Sequence, residues 1–301
     1  MVIELKTECK NIIFASSSGH CTLDCDYCIV DPIAKHESSL EMSDIDFILK
    51  QLYGNTFIGF SGKGDFFAGY KKSDKLLSRI LERDVEIALD INGVLIHEFT
   101  DIDKYQLDKI EGINLTMHYK ALRDSKMLER WADNALAIIQ RKCYDLFIGT
   151  VLSPLLVDSW AESLDFYEKK IFSRTGWKVV LVPDISRNMS PWENDQVSAL
   201  LNQFSHMIHH LHNEDFASPF QNVKSVLCPA GKSFFRVWNN GMIDGCSNID
   251  SLKQLGNAKE RIITLNGSFF PCSDPSYCEC HAIFEMGKMQ FGQHLSAQGN
   301  D

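Results

Sequence analysis

Residues 20–30 of the chain have the sequence HCTLDCDYCIV, in which Cys21, Cys25 and Cys28 follow the spacing C-x3-C-x2-C. The segment comes shortly after an apolar stretch, residues 12–15, which the pattern predicts as the first β-strand. The cysteines therefore belong to the loop at the carboxyl end of that strand, the edge at which parallel α/β proteins place their active sites.

Three closely spaced thiolates are typical ligands of an iron–sulfur cluster. A cubane cluster has four irons, so three protein ligands leave one iron open to chelate a small molecule. A structural zinc loop is the alternative, but structural zinc usually takes four protein ligands. The spacing therefore predicts a [4Fe–4S] cluster held by Cys21, Cys25 and Cys28.

Short apolar runs alternate with longer amphipathic ones up to about residue 183, which predicts strands joined by helices and a parallel sheet. We predict an α/β fold, a partial (βα)6 barrel followed by a small cysteine-rich α+β module. The predicted strands are residues 12–15, 56–60, 85–91, 113–117, 146–152 and 178–182. The predicted helices are residues 43–52, 73–82, 104–110, 126–140, 159–172 and 192–212.

Composition narrows the function classes. The chain has 301 residues and a net charge of −10, which argues against an extended nucleic-acid interface or an anionic membrane surface. The first ten residues lack the apolar run of a signal peptide, and no apolar stretch is long enough to span a membrane, so we expect a cytoplasmic protein. Clustered cysteines in that compartment more often bind metal than form disulfides.

The segment CTLDCDYC resembles the signature of the radical SAM superfamily, with Tyr27 as the aromatic residue before the last cysteine. The resemblance implies that S-adenosyl-L-methionine chelates the open iron. An external donor such as flavodoxin or ferredoxin then supplies an electron, and the sulfonium bond breaks. The resulting 5′-deoxyadenosyl radical abstracts a hydrogen atom from a substrate carbon.

The resemblance also implies a set of cofactor-binding residues. In the family, a Gly-Gly-Glu-Pro-like motif at the end of the second strand binds the methionine amino group. Here the matching stretch lacks the proline, and its carboxylate, on Asp65, is displaced. Residues 90–95 are similar to the family's Thr-Asn-Gly stretch, and the end of the fourth strand supplies two polar candidates. The implied cofactor-binding residues are Tyr27, Ser61, Gly62, Lys63, Gly64, Asp65, Thr116 and His118.

A second group of cysteines lies near the carboxyl end of the chain. Cys228 and Cys246 flank a predicted hairpin with an Asn-Asn-Gly turn, and Cys272, Cys278 and Cys280 follow. This arrangement resembles the twitch module of radical SAM proteins, a shortened SPASM extension. It implies a second, auxiliary [4Fe–4S] cluster held by the first two cysteines and two of the other three. A zinc knuckle is the alternative, and the surplus cysteine is either a packed thiol or a hydrogen-atom donor, as in radical SAM epimerases.

These expectations define four segments: a radical SAM barrel (residues 1–190), a linking helix region (191–227), a twitch/SPASM-like module (228–285) and a tail (286–301). The expected reaction is oxidation (dehydrogenation) or epimerisation of a small molecule, because the motif starts at Cys21 and leaves no preceding domain to hold a leader peptide. One alternative is radical epimerisation or cross-linking of a ribosomal peptide. The other is a non-catalytic iron–sulfur electron-transfer or zinc-binding protein.

Overall fold

Six parallel strands form the centre of the sheet in a computed structural model of the chain. It describes residues 11–16, 20–28, 40–61, 64–69, 75–141, 145–183, 195–209, 227–228, 230–246, 250–265 and 270–271. The strands lie side by side in chain order, which confirms the predicted parallel α/β arrangement. They are β1 (Asn11–Ser16), β2 (Thr56–Ser61), β3 (Val85–Ile91), β4 (Ile110–Met117), β5 (Asp145–Leu152) and β6 (Val179–Pro183).

Helices connect these strands. The described helices are α1 (Met42–Leu49), α2 (Phe66–Gly69), α3 (Leu76–Leu81), α4 (Lys104–Leu107), α5 (Tyr119–Asp124), α6 (Leu128–Arg141), α7 (Trp160–Tyr167), α8 (Ser173–Thr175) and α9 (Asp195–Phe204). A π-helical turn, Glu168–Phe172, joins α7 to α8. Within the described ranges, none of the helices is both long enough and apolar enough to cross a membrane.

Shorter strands extend the sheet at both edges. The strand β7 (Ile208–His209) pairs in parallel with β6. On the other side β9 (Phe234–Val237) pairs in parallel with β1, and β10 (Met242–Asp244), β11 (Gly256–Asn257) and β12 (Ile262–Ile263) continue antiparallel. The strands β8 (Leu227–Cys228) and β13 (Phe270–Pro271) form a separate antiparallel pair.

The alternating pattern of the strands separates the two faces of the sheet. In β3, Val85, Ile87, Leu89 and Ile91 are buried, and the residues between them are half-buried. The buried set packs against helices. Leu115 of β4 and Trp131 of α6 are both buried, and both side chains lie against Gly93 in the turn after β3. Side chains of the other set point to the opposite face, because successive strand residues alternate.

Several predicted boundaries were wrong for a common reason. The helix predicted for residues 192–212 ends at Phe204, because Ile208 and His209 pair with β6 instead of continuing the helix. The helix predicted for residues 104–110 ends at Leu107, because Ile110 begins β4. In both places pairing in the sheet overrides the local helical pattern. The division into four segments stays a prediction, and β9–β12 belong to the same sheet as β1–β6.

Candidate active site

The cysteine loop, residues 20–28, follows β1 at the carboxyl edge of the sheet. Cys21 and Cys25 are half-buried and Cys28 is exposed. The backbone N–H of Cys28 donates to the carbonyl of Cys25 at 3.0 Å, which closes a turn. The backbone N–H of Leu23 donates to Cys21 Sγ at 3.5 Å. The loop therefore presents three thiols at the edge where sequence reasoning placed them.

The segment after β2 packs directly on the start of this loop. The backbone N–H of Asp65 donates to the carbonyl of His20 at 2.7 Å. Gly64 has φ +91°, and a Cβ there would lie 2.3 Å from that same carbonyl oxygen. Only glycine satisfies both the left-handed backbone and the close approach. Gly62 and Lys63, also predicted to bind the cofactor, lie outside the described residues.

Asp65 joins the end of β2 to the end of β3. Its buried carboxylate accepts the backbone N–H of Phe67 at 3.0 Å and that of Asn92 at 2.6 Å. Burial raises the pKa of Asp65 to about 6, and the backbone N–H groups of Asn92 and Phe67 act in the opposite direction. The carboxylate thus bonds to the polypeptide itself, and its predicted cofactor-binding role stays a prediction.

Asn92 connects the end of β3 to the cysteine loop. Its Nδ2 donates to Thr22 Oγ1 at 2.9 Å and to Cys21 Sγ at 3.5 Å, and its Oδ1 accepts the backbone N–H of Val94 at 2.9 Å. Sequence reasoning did not include Asn92 among the candidates, although it stands in the stretch matched to the family. The signal that could have found it is a polar residue directly after a buried strand.

Tyr27 and His118 link the far side of the loop to the end of β4. The Tyr27 hydroxyl lies 2.5 Å from His118 Nδ1, and the two rings stack with centroids 5.8 Å apart. Burial lowers the pKa of His118 to about 4, which leaves the ring neutral at pH 7. A surface ion pair between Asp26 and Lys120, with N···O 2.9 Å, fastens the same side of the loop to α5.

The remaining predicted residues lie on the sheet face opposite the helices. Ser61 Oγ donates to a carboxylate oxygen of Asp90 in the neighbouring strand. Thr116 is half-buried in β4, one strand position from the end. Residues from the ends of β2, β3 and β4 therefore lie at the same edge of the sheet as the loop that follows β1, and their roles in cofactor binding stay predictions.

The fold resembles that of solved structures of anSMEcpe with bound AdoMet. For a form carrying a hexahistidine tag the TM-score is 0.51, with 13% identity over 83% of this chain and 75% of that chain. For the native form the TM-score is 0.50, with 13% identity over 83% and 78% of the two chains. The likeness is one of fold. Comparisons with models of known protein families and with curated proteins found no match.

The donor set of the cysteine loop fits a cluster with three thiolate ligands. Cys21 Sγ accepts two N–H groups, from Leu23 and Asn92, and such N–H···S hydrogen bonds are typical of cluster ligands. Among the residues that the structure describes, no three His, Cys, Asp or Glu side chains converge as they would around a single metal ion. In a cubane cluster each thiolate binds a different iron, so its ligands need not converge on one point.

Two of the five carboxyl-terminal cysteines fall within the described ranges. Cys246 is buried, and its backbone N–H donates to the carbonyl of Leu252. Cys228 lies in β8, opposite Phe270 of β13. Gly245, directly before Cys246, packs on the backbone after Cys228: a Cβ there would lie 2.6 Å from the Gly231 nitrogen. Cys272, Cys278 and Cys280 lie outside the described residues.

Proposed function

We propose that this protein is a radical SAM enzyme that reductively cleaves S-adenosyl-L-methionine and abstracts a hydrogen atom from a substrate carbon. The observation that carries the proposal is the loop with Cys21, Cys25 and Cys28 at the carboxyl edge of six parallel strands. Structures that share this fold contain AdoMet, which supports the same cofactor here. A [4Fe–4S] cluster on the three thiolates would supply the electron that cleaves the sulfonium bond.

The surrounding residues have separate tasks in this proposal. Asn92 donates to Cys21 Sγ and holds Thr22, so it orients one thiolate and lowers the charge density on its sulfur. Asp65 acts through Asn92 by fixing its backbone, which makes Asp65 a positioning residue. His118, being neutral, accepts the Tyr27 hydroxyl proton in a hydrogen bond and so fixes the aromatic ring next to Cys28.

The carboxyl edge also offers polar groups for the cofactor itself. We assign the methionine amino group to the backbone of residues 61–64, with Ser61 held by Asp90. We assign the ribose or carboxylate to Thr116, near the end of β4, and to His118, directly after it. The glycine at position 64 lets this backbone approach the cysteine loop.

We propose an auxiliary [4Fe–4S] cluster in a twitch/SPASM-like module, held by Cys228, Cys246 and two of Cys272, Cys278 and Cys280. Two contacts support it. Gly245 packs against Ala230 and Gly231, which brings the backbone next to Cys246 close to that following Cys228. The pairing of Phe270 with Cys228 adds a third segment, whose chain continues through Pro271 to Cys272. A zinc site made of the same cysteines is the rival.

For the overall reaction we propose oxidation or epimerisation of a small molecule, with radical modification of a peptide as the second candidate. An external donor such as flavodoxin or ferredoxin would supply the electron. The two outcomes differ in mass: a dehydrogenated product loses two hydrogens. An epimerised product keeps its mass and gains one deuterium when the reaction is run in heavy water.

The test is anaerobic reconstitution with iron and sulfide, followed by an assay of dithionite-driven AdoMet cleavage. We expect wild type to form 5′-deoxyadenosine and the Cys21/Cys25/Cys28→Ala variant to form none, while retaining roughly four irons at the auxiliary site. A Cys9/Cys143→Ala variant is the control for loss of thiols outside both groups.

Three results would contradict the proposal in different ways. A well-loaded wild type that neither binds AdoMet, judged by its EPR spectrum, nor cleaves it would remove the enzymatic function and leave an iron–sulfur carrier. If the triple variant contains zinc and not iron, the carboxyl-terminal cysteines form a zinc knuckle and not an auxiliary cluster. Equal activity in the triple variant would exclude the cysteine loop as the site.

A further inference from the structure

A charged group lies on the hairpin of β9 and β10, which adjoins β1. Arg236 Nε donates to Asp244 Oδ1 at 2.5 Å, and Trp238 Nε1 donates to Asp244 Oδ2 at 2.6 Å. The Arg236 guanidinium also lies over the Trp238 ring, 5.6 Å from its centroid. The side chain of Arg236 is 18% exposed and that of Asp244 is 5% exposed. Two partners therefore hold this guanidinium in a mostly buried position.

The strand register places Arg236 on the same face as the candidate active site. Phe235 and Val237 pair with Ile13 and Ala15, which belong to the buried, helix-facing set. Arg236 therefore lies on the opposite face. Following the register, Arg236 pairs with Phe14 of β1, and beyond Phe14 the row continues through Gly59, Ala88 and Gly112, positions with little or no side chain. The next row towards the carboxyl edge is polar and contains Ser61, Asp90 and Asn114.

Arg236 retains most of its hydrogen-bonding capacity. A guanidinium has five N–H donors, and towards the described residues Arg236 uses only its Nε–H, in the bond to Asp244. The glycine and alanine positions of its row begin one strand further on, beyond Phe14. In the polar row, the buried Oδ1 of Asn114 has no hydrogen-bond partner among the described residues. A guanidinium that is held in place and keeps unused N–H donors is the usual binding group for a planar oxyanion.

We propose that Arg236 binds a carboxylate or phosphate group of the substrate, with Asp244 and Trp238 as its positioning residues. The inference rests on the proposed radical SAM function and specifies its substrate as anionic. Arg236 lies two strand residues below the row of Ser61, a depth of about 7 Å. The anionic end of the substrate would therefore reach into the sheet face and leave the attacked carbon nearer the cysteine loop.

The test measures anion binding directly by fluorine NMR on the reconstituted full-length protein, first without AdoMet and then with saturating AdoMet. The probes are monofluorophosphate, trifluoroacetate and the neutral trifluoroethanol, so the two anions distinguish phosphate from carboxylate preference. We expect wild type to bind at least one anion, and Arg236→Gln to bind it at least about tenfold more weakly. The matched control is Arg261→Gln, because Arg261 also pairs with a 5% exposed aspartate, Asp44.

Unchanged anion binding in Arg236→Gln, or equal binding of the neutral probe to wild type, would overturn the inference. Loss of wild-type anion binding when AdoMet is added would also overturn it, because Arg236 would then serve the cofactor carboxylate. If Arg236→Gln does not fold, the charge-neutral pair Arg236→Gln/Asp244→Asn replaces it in the same titration. AdoMet cleavage by wild type is scored separately, so failure of the proposed function is not confused with failure of this site.

Discussion

Asn92 reaches the cysteine loop from the end of β3 through one side-chain amide. Asn92→Asp keeps the acceptor for Val94 N–H but removes the donor to Cys21 Sγ and adds a negative charge. The lost hydrogen bond contributes about 1 kcal/mol. For a one-electron couple, a tenfold change in the equilibrium constant corresponds to about 59 mV. About 1 kcal/mol is somewhat less than a tenfold change, so we expect the reduction potential of the cluster to fall by roughly 40 mV or more. EPR-monitored redox titration measures it.

The control for Asn92 is Asn134, which bonds to the same turn after β3 from α6. Asn134 Nδ2 donates to the carbonyls of Gly93 and Val94 at 2.8 and 3.1 Å, and the structure shows no bond from it to a described cysteine. Asn134→Ser should therefore leave the potential within the error of the titration. Equal shifts in both variants would mean that Asn92 acts only by supporting the turn.

His118 gives the chain a pH-dependent stability of defined sign. The pKa of His118 is lowered by burial to about 4, so below pH 6.5 the unfolded chain takes up a proton before the folded chain does. The contribution of neutral His118 to folding stability is complete above pH 6.5 and is lost as the pH falls towards 4. Between pH 7 and pH 5 we expect this loss to be about 2 kcal/mol in wild type and absent in His118→Gln. Urea unfolding at each pH measures it.

Wild type must be compared with His118→Gln because Asp65 changes the pH dependence of stability in the opposite direction. Its pKa is raised to about 6, so stability falls as the pH rises from 4 to 6, and the two slopes partly cancel in wild type. The surface variant His206→Gln, which removes an exposed pair with Glu168, is the control. If the wild-type and His118→Gln curves run parallel from pH 7 to pH 5, His118 is not neutral in the folded chain.

Among the elements, the connection after β2 depends on one glycine. Gly64→Ala would place a methyl group 2.3 Å from the His20 carbonyl in a left-handed backbone. Gly54 has a similar φ, +86°, but a Cβ added there would have nothing within 4 Å. Gly54→Ala should therefore cost about 1 kcal/mol of stability from backbone strain alone. Gly64→Ala should cost at least about twice that and weaken AdoMet binding.

Thermal unfolding and AdoMet equilibrium dialysis on the two alanine variants check this difference. Equal losses of stability would show that backbone strain dominates and that the contact with His20 relaxes. Normal AdoMet binding by a folded Gly64→Ala variant would separate the segment after β2 from the cofactor site.

The elements that the sequence predicted well are those whose pattern is local. The strand β3 was predicted with its observed limits, residues 85–91, because buried and half-buried residues alternate along its whole length. The strand β7 was not predicted, because Ile208 and His209 continue the helical spacing of α9 and only the neighbouring β6 selects a strand. Local pattern therefore identified the six βα units, and partners far along the chain decided their ends.

For the whole molecule, the same distinction separates the candidate residues that a local pattern suggests from those that only the fold brings to the site. Spacing alone made Cys21, Cys25 and Cys28 the proposed cluster ligands. The bond between Asn92 and Cys21 joins residues 71 positions apart, and no motif in the sequence encodes that distance. The sequence did not suggest Arg236, for which we propose substrate binding, because its place on the sheet depends on β9 pairing with β1, which a hairpin pattern does not reveal.

That pairing predicts how the chain unfolds. In β9 and β10, Phe234, Phe235, Val237 and Ile243 are each at most 1% exposed, and the ion pair from Arg261, directly before β12, to Asp44 of α1 adds a further contact. Full burial of four such side chains contributes on the order of 8 kcal/mol, which is comparable with the entire stability of an ordinary domain, about 5–15 kcal/mol. A chain ending at residue 227 should therefore lose cooperative unfolding and near-ultraviolet circular dichroism.

The matched truncation ends at residue 285 and removes only the predicted tail, so it should unfold as wild type does. Both truncations and the full chain are compared in the same urea titration. A cooperative transition and a native-like spectrum for residues 1–227 would show that β1–β7 fold without β9–β12. The carboxyl-terminal strands would then be a separate module, and Arg236 would reach the active face only when that module docks.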